Sequence, residues 1–101
     1  FVSVKEPATI PVKNLASYIL PKYIPAFNKR GNAYYKLKDY HEAIANYDEV
    51  IKLDPEYGAA YLNRGISKEM LRDDKGACAD WEKALSLGVD VAADYLETCE
   101  K

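Results

Sequence analysis

The strongest constraint on this chain is its match with itself at an offset of 34 residues, which lays 24–57 on 58–91. Eight positions then coincide: Ala26/Ala60, Arg30/Arg64, Gly31/Gly65, Leu37/Leu71, Asp39/Asp73, Ala43/Ala77, Ala45/Ala79 and Leu53/Leu87. Phe27/Tyr61 and Tyr47/Trp81 keep an aromatic, while Lys38/Arg72 and Asp48/Glu82 keep a charge. A third copy opens with Ala93, Tyr95 and Leu96, in step with Ala59, Tyr61 and Leu62. A unit this short cannot enclose a core by itself, so neighbouring copies must stack.

Each copy reads as two helices. Phe27, Gly31, Tyr34 and Leu37 recur at helical steps, Lys38-Asp39-Tyr40 interrupts, and Ala43, Ile44, Tyr47, Val50 and Ile51 resume the stripe. Pro55 ends it, since proline lacks an amide hydrogen and keeps its predecessor out of the helical region. The second copy repeats the scheme with Tyr61, Gly65, Lys68 and Leu71, then Ala77, Cys78, Trp81, Ala84 and Leu85, and Gly88 as the stop. A fifth helix is expected from an N-cap at Asp90, with Ala92, Tyr95, Leu96 and Cys99 on its dry side and Asp94, Glu97 and Lys101 on its wet side. Glycine in mid-helix costs about 1 kcal/mol against alanine, so Gly31 and Gly65 imply close helix approach, opposite Ala43 and Ala77. Tyr47 and Trp81 are expected to fill the wedge between one helix pair and the next.

At 101 residues, 49% hydrophobic and 30% charged, the chain makes one small globular domain. Its net charge of −2 lacks the positive field of a nucleic-acid binder. No window reaches the roughly 20 apolar residues of a membrane span. Cys78, Cys99 and the single histidine, His41, supply neither a zinc set nor a nucleophile–base pair, and no glycine-rich phosphate loop exists. His41-Glu42 begins like a zinc-protease helix, but Ala45 stands where the second histidine belongs. No enzyme activity, cofactor or metal is expected.

The spacing aromatic-x3-Gly-x2-Tyr … Ala-x3-aromatic … Pro resembles the tetratricopeptide repeat. Phe27, Gly31, Tyr34, Ala43, Tyr47 and Pro55 carry it in 24–57, and Tyr61, Gly65, Ala77, Trp81 and Ala84 in 58–91. Arg30 and Arg64 depart from a frequent leucine, Lys68 from the tyrosine and Val89 from the proline. The run Lys75–Trp81 with a late Cys99 also looks like the last repeat of bacterial members. The resemblance implies an all-α fold: a short right-handed solenoid of two motifs, with 92–101 as a C-terminal capping helix. It implies a protein–protein interaction module, a scaffold or adaptor holding a peptide or partner helix in a concave groove. The groove positions correspond to Asn28, Asn32, Tyr35 and Lys36, then Leu62, Asn63, Ile66, Glu69 and Met70. Chaperone-binding members grip a C-terminal carboxylate with cations. Asn32 and Asn63 fit two asparagine positions of that clamp, but Asn28, Ala93 and Glu97 replace its cations, so the clamp is rejected.

Counting out from the turn at Gly88–Asp90 brings Cys78 and Cys99 within about one helical turn of each other. A disulfide there would tie down the terminal helix and imply an oxidising compartment such as a bacterial periplasm. Two buried thiols in a cytoplasmic protein are the other reading, so localisation stays open. The chain begins at Phe1 with no secretory signal pattern, as a mature form or an excised fragment does. Residues 1–23 carry Pro7, Pro11 and Pro21, with 14–20 as a short helix covering the first repeat. They serve as a linker or as an arm docking on a neighbouring molecule. Two alternatives to peptide binding are a homodimer through Tyr18, Tyr23 and Tyr57, and a structural spacer in a larger cell-envelope protein.

Overall fold

The computed structural model describes residues 23–99. The short helix expected at 14–20, Tyr18 and Lys101 lie outside the described residues. Within them the chain forms α1 (Ile24–Lys36), α2 (Tyr40–Leu53), α3 (Gly58–Met70), α4 (Asp74–Ser86), α5 (Ala92–Leu96) and a 3-10 turn (Glu97–Cys99). The architecture is all-α, with no strand among the described residues. Each helix packs most closely against its neighbours in sequence: α1 on α2, α2 on α3, α3 on α4, and α4 on α5.

The turns explain the helix boundaries. After α1, Lys38 adopts a positive φ of 64°, its N–H donates to the Tyr35 carbonyl, and the Asp39 N–H donates to the Tyr34 carbonyl. Arg72, at φ 68°, does the same after α3. Glycine would hold that left-handed backbone more easily than either basic residue. Gly88 does hold it after α4, at φ 94°. The next residue restarts the chain as a helix: the Asp39 carboxylate accepts from the Glu42 N–H at 3.2 Å, and Asp73 from the Gly76 N–H at 3.0 Å. Between the hairpins Asp54 is extended ahead of Pro55, and α2 ends at Leu53.

The core forms two linked clusters. Ile24, Ala43, Tyr47, Val50 and Ala60 build one, and Tyr61, Ala77, Trp81, Ala84 and Ala92 the other, with Ile51 packed against both. Ala60, from α3, completes the first cluster and so ties the hairpins together.

Several expectations are corrected here. Tyr47 and Trp81 do more than the expected wedge: Tyr47 shares a cluster with Ala60 of the next hairpin and Trp81 one with Ala92, and each ring also lies inside its own hairpin, against the glycine. A β-carbon on Gly31 would stand 2.6 Å from the Tyr47 ring, and one on Gly65 2.6 Å from the Trp81 indole nitrogen. The glycines clear a slot for the aromatic ring. The terminal helix runs from Ala92, with Val91 rather than Asp90 as N-cap, and is only one short turn before the 3-10 segment. Leu37 and Leu85, expected on buried stripes, are 74% and 38% exposed. Tyr57 is half-buried against the first cluster.

Candidate functional site

α1 and α3 lie close enough for their polar side chains to meet. The Asn63 amide donates to the Asn28 amide oxygen at 3.5 Å, a long contact that leaves both groups with spare donor and acceptor capacity. Asn32 is differently committed, because its oxygen accepts the Tyr47 hydroxyl at 2.5 Å. That hydroxyl sits under a buried ring, and burial, with the neighbouring Tyr35, pushes its pKa up to about 12.

The other expected groove residues are distributed unevenly. Tyr35 is half-buried against the first cluster and faces the Tyr40 ring at 5.5 Å. Leu62 and Ile66 are half-buried against the second cluster, and the Leu62 carbonyl accepts the Trp81 indole N–H at 3.3 Å. Lys36 and Met70 are exposed at the C-terminal ends of α1 and α3. Glu69 is set apart from the asparagines: with Asp74, Lys75, Trp81, Glu82 and Thr98 it borders a cleft of about 520 Å³.

The disulfide joining Cys78 of α4 to Cys99 of the 3-10 turn forms part of that cleft's wall, with 6.0 Å between the two Cα atoms. It fastens the end of the described chain onto α4, while Tyr95 packs on the Trp81 ring at 5.1 Å.

The sequence reading missed a polar spine running through both hairpins. Arg64 grips Asp80 through two bonds, Nε at 2.9 Å and Nη2 at 2.7 Å, and reaches Asp48 of the preceding hairpin through Nη1 at 2.8 Å. Lys68 adds a 3.2 Å contact to Asp80. These carboxylates hold Arg64 charged more firmly than usual, the Asp80 hydrogen bond contributing most. Arg30 makes the single matching bond, Nε to Asn46 at 2.6 Å. The signal was present: an arginine recurs at the repeat spacing, and a residue able to accept follows each by 16 positions.

The described residues contain no cluster of three His, Cys, Asp or Glu side chains able to hold a metal, and no helix long and apolar enough to cross a membrane. What the surface offers is hydrogen-bonding amides beside apolar side chains, which suits recognition of another chain.

No curated protein matches this chain. The tetratricopeptide repeat family model matches residues 24–57, the whole of the first hairpin with its flanking turns. Repeats of this family generally mediate protein–protein interaction and are not catalytic. That match lies on a helix pair whose aromatic seats on a mid-helix glycine, so residues 24–57 are similar to a tetratricopeptide repeat in both sequence and local packing.

Proposed function

We propose that the chain is a scaffold or adaptor module that holds an extended peptide along the neighbouring faces of α1 and α3, with 58–91 serving as a second motif. The observation that carries this reading is the meeting of Asn28 and Asn63, amides from different hairpins with hydrogen-bonding capacity left over. An extended peptide has unpaired backbone groups to offer them. Leu62, Ile66 and the 47% exposed Met70 give apolar contact alongside, and Lys36 and Glu69 place opposite charges near the same helix ends. The second motif is supported by the shared turn, cap and glycine–aromatic slot of the two hairpins.

A phage-displayed library of random dodecapeptides selected on the full chain provides ligands, whose affinities are then measured by titration calorimetry. The double variant Asn28→Ala/Asn63→Ala should keep its helicity and weaken the selected peptides about tenfold, the loss of one to two amide hydrogen bonds. Unchanged affinity removes this surface from the function. Asn32 is unsuitable for the test, because its loss also unseats the Tyr47 hydroxyl.

A further inference from the structure

Ala60, Arg64 and Ser67 of α3 and its C-cap Leu71 form one stripe, at steps of four, three and four residues. That stripe faces α2: Ala60 shares a core cluster with Val50, and Arg64 reaches across to Asp48. Ala60 and Ser67 are completely covered. The same stripe 34 residues earlier is Ala26, Arg30 and Ala33 of α1 with its C-cap Leu37. There every member is exposed, Leu37 by 74%. Arg30 keeps its internal bond to Asn46 and its stacking over Phe27 at 5.4 Å, yet among the described residues it has no carboxylate partner.

We propose that this open face of α1 docks an amphipathic helix of a protein partner, one that lays small and aliphatic side chains on Ala26, Ala33 and Leu37 and brings an Asp or Glu to Arg30. The internal interface supplies the pattern, because α2 meets the equivalent face of α3 with Val50, Ile51 and the carboxylate of Asp48. Charge decides between occupants. A second copy joined by a two-fold axis through this face would set Arg30 against Arg30. The chain's own residues 1–22 carry three lysines and one acid, Glu6, a poor complement to a cation. The face is separate from the Asn28–Asn63 surface, so the two readings stand or fall independently.

The probe is a synthetic peptide copying residues 40–53, capped at both ends, titrated into the isotopically labelled full chain and followed by amide NMR shifts. The expected shifts centre on Ala26, Arg30, Ala33 and Leu37. A peptide with Asp48→Asn should bind about two- to fivefold more weakly, the worth of one exposed ion pair. Arg30→Glu in the protein should reject the native peptide and recover binding to a peptide carrying Asp48→Lys. Should Arg30→Glu disturb the fold, Leu37→Asp, at an exposed position, serves as the second variant and should also abolish the shifts. Absent shifts, shifts confined to the Asn28–Asn63 surface, or binding indifferent to these changes overturn the proposal. So does a homodimer of the full chain that Leu37→Asp dissolves.

Discussion

The two hairpins use one plan and differ in how they handle charge. Both end their first helix on a basic residue at positive φ and start the second from an aspartate cap. Both seat an aromatic ring on a mid-helix glycine. In the first hairpin, however, Arg30 meets a neutral amide, Asn46. In the second, Arg64 meets a buried carboxylate, Asp80, which Lys68 also contacts, and reaches Asp48 as well. Position in the stack accounts for the difference. The second hairpin has α2 on one side and α5 on the other, so its arginine loses water and needs compensating charge. The first leaves its arginine exposed to water, and among the described residues its hydrogen-bond partner is the neutral Asn46.

The largest expected effect breaks the feature the hairpins share. Gly65→Leu should abolish the cooperative thermal transition, since overpacking commonly costs about 1–3 kcal/mol and this slot is already filled by Trp81. The alanine variants sharpen the comparison. A β-carbon at Gly65 also stands 3.1 Å from the Ala77 backbone carbonyl, whereas the nearest atoms at Gly31 all belong to the Tyr47 ring. Gly65→Ala should therefore cost more than Gly31→Ala; the reverse order would refute the backbone argument.

Next comes the charge difference itself. Asp80→Ala leaves Arg64 with only its exposed partner Asp48 and should cost about 3 kcal/mol in urea unfolding. Asn46→Ala removes one hydrogen bond and should cost about 1 kcal/mol. Equal losses would mean that the two arginines are equivalent after all.

The tether belongs to the second hairpin alone. Reduction of Cys78–Cys99 should lower stability by roughly 2–3 kcal/mol, the usual scale for a loop of this length. Thiol titration of denatured, unreduced protein should find no free thiol, and two would show that the bridge is not made.

A further contrast separates the two aromatics by pH. Tyr47 is an acid whose folded pKa, near 12, lies above the ordinary value near 10. The folded state therefore holds the proton more tightly, and this contribution is complete below pH 10 and lost as pH rises from 10 to 12. The loss should be roughly 2 kcal/mol and absent in Tyr47→Phe. Trp81 does not titrate, so the second hairpin has no counterpart to this step. A Tyr47→Phe variant with the same alkaline slope would place its cause elsewhere.

The helices were legible because periodicity, Pro55 and Gly88 act locally, and the self-match required the two hairpins to share a plan. The glycine–aromatic slot was half legible: both partners stood out, but which surfaces they joined depends on rotation about the helix axes, which no spacing encodes. The cap of α5 escaped because Asp90 is a good cap in isolation, whereas the chain uses residues 89–91 to turn back onto α4. The arginine spine was hidden by its own conformity to the repeat. Arg30 and Arg64 looked like tolerated departures until Asn46 and Asp80 were found opposite them. Asn32 looked like a free groove amide, and only the packed Tyr47 ring explains why its oxygen is engaged.

The bond from Asp48 to Arg64 crosses the boundary between hairpins, and the Cys78–Cys99 bridge closes the far end. Together they give the chain a direction of fraying. Opening from the α4 end must first contend with a covalent closure, while opening from α1 needs no such rupture and costs only the contacts of one hairpin. Local unfolding should run from α1 inward, with amide hydrogen exchange slowest in α3 and α4 and fastest along α1. An opening that begins in α1 would start beside the stripe proposed above as a docking face.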